Sequence, residues 1–331
     1  MILDERDHRL IDALSDGEFH SGVELSQALG VTRVTVSNRL SQLEQLGLEV
    51  ASVRGRGYRL LSPIERLDET LIRSHFSDDA TRYCQGFTHL DVIDSTNTYL
   101  LEQAKRGVPS GQVCLAEHQI SGRGRMGRNW VSAYGHNLYL SLLWRFEQVS
   151  QVQGLSLAVG VVVARALQGV MGLDRVQLKW PNDIWVDGRK LGGILIEMVG
   201  EVHGSAALVL GVGINGRLPH AADQVIDQAW TDLDRSGFPL PGKRNLLASR
   251  ILSGLFTLLH HYPVSGLSPY LKTFRSLHGA AGQRAQILAG SSELEGTILD
   301  VNDQGHLLMD LGASGVREFA SGEVRFRVLP T

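Results

Sequence analysis

The sequence predicts an α+β multidomain chain. It has an N-terminal winged helix-turn-helix, a central α/β domain with a mixed sheet, and a small C-terminal antiparallel β-barrel. Three observations carry this. Residues 1–62 set two helices around a short glycine turn and follow them with two short strands. Strands and helices alternate from 66 to 273. From 275 to 331 the chain breaks into five short strands separated by turn sequences. At 331 residues the chain exceeds one ordinary domain.

In the first unit Leu10, Ile11 and Leu14 recur at helical spacing, and Gly17 is expected to end that helix. Ser21 and Glu24 form a capping box before a helix whose inner face is Leu25, Ala28 and Leu29, with Gly30 as its stop. Thr32 caps the next helix, which turns Val36, Leu40 and Leu43 inward before Gly47. "LEVASVRGRGYRLL" then reads as a hairpin, the wing. Between residues 33 and 59 five arginines face only Glu44 and Glu49, a local balance of 5 − 2 = +3. The candidate DNA contacts are Ser21, Gly22, Thr32, Arg33, Thr35, Ser37, Asn38 and Arg39 on the helices, with Arg54 and Arg56 on the wing. The rival reading is a helical protein-interaction module.

Ser62-Pro63 reads as a linker. In the central unit "HLDVID" and "QVCLAEHQ" are strands around the helical "TNTYLLEQAKRG", and "NLYLSLLWRF" alternates like a strand. A buried helix at 154–171 precedes the strands "RVQLKW", "LGGILIEMV" and "AALVLGVGIN", and a helix follows at 244–261. The last unit is small enough to lean on this domain for stability.

Formal charge is 32 − 35 = −3, so any polyanion-binding face must be local. Cys84 and Cys114 make no disulfide framework, and no Cys/His cluster has metal-ligating spacing; no protein-held metal is expected. The reading is a cytoplasmic protein. "MILDERDHRL" is charged from its fourth residue, unlike a signal peptide. "LSLAVGVVVARALQGVM" contains Arg165 and Gln168, which suit a buried helix and no membrane association.

The segment "SGRGRMGRNW" gathers Arg123, Arg125 and Arg128 on glycine-rich backbone. Gly122, Gly124 and Gly127 satisfy G-x-G-x-x-G, with Glu147 twenty residues on. A dinucleotide fingerprint needs a helix next, however, and here the chain enters a strand. The remaining reading is a mobile anion clamp that orders on phosphate or carboxylate. "DSTN" offers hydroxyls and an amide to a small polar ligand, although Ser95 or Thr96 equally caps the next helix. "KWPND" sets Lys179 at a strand end beside Trp180, where a solvated lysine is the alternative. In "GVGIN" backbone glycines admit a ligand and Asn215 reads an edge, or the segment is a tight turn.

"DSTN", "EHQISGRGRMGRNW", "KWPND", "LGGILIE" and "GVGIN" stand in the order and spacing of biotin–protein ligases, and the chain resembles that family. With the winged helix ahead of them it is similar to the bifunctional ligase/biotin-operon repressors. Met126 departs from a motif that often has arginine there, which removes one candidate charge contact.

The resemblance implies a catalytic domain of the biotin/lipoate ligase type and an SH3-like barrel. It implies that biotin's carboxylate attacks the α-phosphate of ATP, with Mg²⁺, giving biotinyl-5′-AMP and releasing pyrophosphate, and that a lysine of a biotin carboxyl carrier protein then takes biotin from that anhydride and releases AMP. Lys179 and Arg125 are the catalytic candidates. Biotin falls to Ser95, Thr96, Asn97, Gln119, Arg123, Gly124, Arg125 and Lys179, with Gly192 and Gly193 giving room in the aliphatic wall "LGGILIE". ATP and the adenylate fall to Arg123, Arg125, Arg128, Trp130, Lys179, Asn182 and Asn215, with Arg327 a further candidate. The implied partners are the carrier domain of acetyl-CoA carboxylase, biotin-operon operator DNA and a second copy of the chain when adenylate is bound. A lipoate–protein ligase and a ligand-sensing transcription factor without catalysis remain alternatives.

Overall fold

A computed structural model describes residues 3–200, 205–289, 292–321 and 324–328. The first unit comprises α1 (Glu5–Leu14), α2 (Gly22–Leu29), α3 (Arg33–Glu44), β1 (Val50–Val53) and β2 (Gly57–Leu60). The Ser21–Glu24 capping box is present, Gly30 is left-handed at φ 62°, and Thr32 caps α3. Leu10, Ile11, Leu14, Leu25, Leu29, Val36, Leu40 and Leu43 are buried together. Two details differ from the sequence reading. Helix α1 stops at Ser15, whose N–H and hydroxyl both turn back onto the Asp12 carbonyl. Ala28 is exposed, since Leu25 and Leu29 already cover the narrow inner face of α2.

Residues 62–64 are no free tether. Ile64 is buried in the first unit's core, and its N–H donates to the Ser15 carbonyl at 3.2 Å. Tyr134 of the central domain, fully buried, completes the same core.

The central domain contains α4 (Glu69–Ser74) and α5 (Asp78–Tyr83), two short helices the sequence reading missed. Next come β3 (Gly86–Ile93), α6 (Thr96–Lys105), β4 (Gln112–Gln119), β5 (Leu138–Phe146), α7 (Leu155–Met171) and β6 (Val176–Lys179). They are followed by β7 (Asp183–Val186), β8 (Arg189–Gly200), β9 (Ala206–Ile214), α8 (Ala222–Val225), α9 (Arg244–Ser265) and α10 (Ser268–Leu277). The sheet runs β3-β4-β5-β9-β8-β7-β6; β3 and β4 are parallel and every other pair is antiparallel, so the sheet is mixed. Alternation along the strands divides the core. Leu138, Leu140 and Leu142 of β5 pack with α7 and α9, whereas Leu143 packs with Leu100 and Ala104 of α6. Helix α7 is apolar nearly all round because it is buried nearly all round. It lies within the one described helical stretch long and apolar enough to cross a membrane, residues 149–171.

Helix α10 runs through the boundary expected between 273 and 275, because Leu271 and Phe274 are buried on the central core. The last unit therefore begins after Leu277, with β10 (Arg284–Ala289), β11 (Ser292–Val301), β12 (Leu307–Asp310), β13 (Val316–Phe319) and β14 (Val324–Val328). Among the described residues these form an open antiparallel sheet, β13-β12-β11-β10-β14, not a closed barrel. Closure is replaced by packing: Ile287, Ile298, Val301 and Met309 join the central core. The side chain of Arg327 lies outside the described residues.

Candidate active site

A cavity of about 430 Å³ opens where β4, β6, β8 and β9 end, under the arginine-glycine segment. Its inner end is polar and ordered by its own hydrogen bonds. Ser95 caps α6, so Thr96 and Asn97 enter the first turn with their side chains toward the sheet. Gln119 Oε1 accepts from the Thr96 N–H at 2.9 Å and from Thr96 Oγ1 at 3.1 Å. Asn97 Nδ2 donates to Glu197 Oε2 at 2.8 Å, and Asn97 Oδ1 lies 2.6 Å from the Ser141 hydroxyl. Ser95, Thr96 and Asn97 are each 4% exposed, so each unfilled donor or acceptor there would be costly without a ligand or a partner. Ser141 was not foreseen; the signal was one polar residue interrupting the apolar run "LYLSLLW".

The mouth is cationic. Lys179 and Asp183 are cross-strand partners on β6 and β7, with Nζ 3.8 Å from Oδ2. Lys190, from β8, reaches the other oxygen of Asp183 at 2.7 Å. Burial pushes the Lys179 ammonium below the ordinary lysine range, Asp183 pulls it back, and neighbouring Lys190 and Arg128 add to the lowering. Its Nζ also lies over the rings of Trp185 (5.0 Å) and Phe326 (5.4 Å), which lets the charge remain in a half-apolar setting. Sequence reading missed Lys190 and Asp183. Lys190 sits beside the motif "LGGILIE", whose apolar look hid it, and Asp183 is on the short strand β7.

The arginine segment forms a hairpin in this conformation. Gly124 N–H donates to the Arg128 carbonyl at 2.7 Å and Trp130 N–H to the Gly122 carbonyl at 2.8 Å, around a turn in which Met126 has φ 58°. Arg123 pairs with Glu197 at 3.1 Å and also donates to Thr98 Oγ1. Arg125 donates to Asn182 Oδ1 at 3.4 Å and to the Ser321 carbonyl of the last unit. Burial lowers Arg125 from the usual arginine value, yet a guanidinium stays charged. Arg128 is exposed at the rim. Trp130 lies on a glycine floor: a Cβ on Gly213 would meet its indole at 2.9 Å and one on Gly193 at 3.3 Å. Its Nε1 is buried without a partner among the described residues.

Residues 89–215 match the Biotin/lipoate A/B protein ligase family, and residues 6–59 match the HTH domain family. The bifunctional ligase/repressor BirA of Salmonella typhimurium is 38% identical over 96% of both chains. The chain belongs to the bifunctional ligase/repressor branch of that family. The Bacillus subtilis BirA is 30% identical over 93% of this chain and 94% of its own length. A solved biotin protein ligase from Aquifex aeolicus, in complex with biotin and ATP, superposes with TM-score 0.62 at 27% identity, covering 74% of this chain and all of that one.

In this ligase/repressor the cavity gathers Ser95, Thr96, Asn97, Gln119, Arg123, Gly124, Arg125, Arg128, Trp130, Lys179, Asn182, Gly193 and Asn215. Gly192 is not among them. A Cβ there would lie 2.6 Å from the Gly213 carbonyl oxygen and from Ile214 Cδ1, so its missing side chain serves the β8–β9 contact and leaves no room for biotin. Gly192→Ala should cost about 1–3 kcal/mol by overpacking, roughly 5 °C in thermal unfolding. A variant that unfolds at the wild-type temperature would refute this. Asn215 lines the cavity, but its Nδ2 is committed to the Thr231 carbonyl.

On the winged helix, Arg33, Ser37 and Asn38 are exposed along α3, and Arg54 and Arg56 along the wing. Thr35 is half-buried, bonded to the capping Thr32. Ser21 is spent on its capping box, and Gly22 is buried against Tyr58. Arg39 turns away from the expected reading face. It pairs with Asp4 at 2.9 Å and Asp7 at 2.5 Å, binding α3 to α1, because the acidic first turn of α1 lies within its reach.

Proposed function

We propose that this chain adenylates biotin with ATP, transfers biotin to a lysine of a carrier domain, and represses biotin synthesis as an adenylate-bound dimer on operator DNA. One observation carries the ligase half: a single cavity has an amide- and hydroxyl-lined inner end and a mouth holding two ammoniums and three guanidiniums. A ureido ring presents one acceptor and two donors, which Thr96, Asn97 and Gln119 complement. Its aliphatic tail lies along Ile194 and Leu195, and its carboxylate emerges at the lysines.

A carboxylate is already ionised near neutral pH, so the first step needs no general base. The difficulty is bringing one anion against a polyanion, and fixed positive charge answers it. Lys179 and Lys190 are oriented by one shared carboxylate. They would face the carboxylate and α-phosphate, with Arg125 and Arg128 on the polyphosphate and Trp130 under the adenine. Mg²⁺ suits this site as a cation carried by the phosphates: of the two carboxylates lining the cavity, Asp183 is already paired with both lysines and Asp227 has no acidic, histidine or cysteine cluster around it among the described residues. When bound it would supply further neutralisation of phosphate charge.

The repressor half is supported by continuity. Four residues after Trp130 comes Tyr134, buried in the winged-helix core with its N–H bonded to the Leu46 carbonyl at 2.9 Å. Ligand on the hairpin and the pose of the DNA-binding unit therefore share one segment. Pyrophosphate release on adding biotin and ATP tests the ligase, and lipoate added in excess should not compete, because its ring lacks the urea. Efficient competition would favour a lipoate ligase. Absence of release from the wild type would leave only a ligand sensor.

A further inference from the structure

The wing carries a cluster that neither the pocket nor the exposed helix face accounts for. Phe19, between α1 and α2, lies beneath two arginines of the wing. The guanidinium carbon of Arg56 is 4.1 Å from its ring centroid and that of Arg59 is 4.9 Å away. The backbone enforces this. His20 pairs with Tyr58 through reciprocal hydrogen bonds of 2.8 and 2.9 Å, an isolated bridge on the free edge of the two-stranded wing. The approach is so close that a Cβ on Gly57, at φ +103°, would lie 2.0 Å from the His20 carbonyl oxygen. Neither Arg56 nor Arg59 makes a salt bridge among the described residues. Two like charges thus share one aromatic ring.

We propose that Phe19 is a positioning residue of the DNA-binding surface: its ring holds Arg56 and Arg59 oriented for the phosphates of a duplex. A ring face attracts a guanidinium without using its N–H groups, so the terminal donors stay free for phosphate oxygens, although the Nε of Arg59 is itself buried. Side chains already oriented lose less freedom on binding. The inference rests on the reading that the wing meets DNA.

The test uses the full chain and a mixed-sequence duplex of about 30 base pairs at low salt, where phosphate contacts dominate affinity whatever the sequence. Phe19→Leu keeps apolar bulk but removes the ring, and should bind about three- to tenfold more weakly; Phe19→Tyr should bind as wild type. In an Arg56→Ala/Arg59→Ala background Phe19→Leu should cost nothing further. Wild-type binding by a folded Phe19→Leu, or an undiminished loss in the arginine-free background, would overturn the proposal. If Phe19→Leu fails to fold, Phe19→Met, which also has apolar bulk and no ring, takes its place in both backgrounds with the same expected outcomes, and weak binding by a folded Phe19→Tyr likewise overturns the proposal. Wild-type binding by the double arginine variant would instead sink the reading of the wing as a DNA contact.

Discussion

Lys190→Ala should slow pyrophosphate release from biotin and ATP by about a hundredfold or more, the loss of roughly 3 kcal/mol of fixed-charge stabilisation in a water-poor site. Lys179→Ala should lose a comparable amount, since both ammoniums are set by Asp183 and both line the cavity. The two losses should not add in the double variant, because each lysine alone leaves the shared carboxylate and the anionic substrates less balanced. Lys190→Arg should not rescue, as a planar fork cannot replace a compact charge wedged between Asp183 and the Trp130 ring 5.6 Å away. Single-turnover adenylate formation measures the chemical step directly. Wild-type rates in either alanine variant would remove that lysine from the mechanism.

The largest effect on stability should come from a pair the sequence reading never singled out. Glu117 and Arg244 are fully buried and 2.5 Å apart. Burial by itself would raise the Glu117 carboxyl. Arg244, the His89 ring and the Leu67 N–H outweigh it and hold the group at about 2. Arg244 also donates to the carbonyls of Glu65 and Asn137, so one guanidinium joins the domain junction, β4 and α9. Arg244→Met strands a buried carboxylate and should cost about 3–5 kcal/mol, on the order of 10 °C in thermal unfolding. Adding Glu117→Gln should recover part of it. The sign with pH follows: a depressed carboxyl stabilises the fold above the unfolded-state value and loses that contribution as pH falls from ~5 toward about 2. The wild type should show this acid loss and Arg244→Met much less of it. Equal pH profiles would contradict the assignment.

The strand and helix pattern was readable because its cues are local. The Ser21–Glu24 box, the left-handed Gly30 and the alternation of "NLYLSLLWRF" act within a few residues, and each appears where expected. Helix α10 crossing the expected domain boundary and the unclosed last sheet were not readable, since both follow from burial on the central core. Arg39 shows the same limit. Its side chain looked like part of a reading face until α1 brought Asp4 and Asp7 to it.

By itself the sequence determined which chemistry was available: guanidiniums on glycine-rich backbone, a lysine at a strand end, hydroxyls and amides at a helix start. Only the tertiary structure decided which of these meet. The pairing of consecutive strands β6, β7 and β8 placed Asp183 and Lys190 beside Lys179, while segments farther apart in the chain closed Gly192 against β9 and gave Trp130 its glycine floor. The physical reason is range. Caps, turns and alternation are fixed by neighbours in sequence, whereas electrostatic pairing and packing are fixed by neighbours in space, and sheet order sets those.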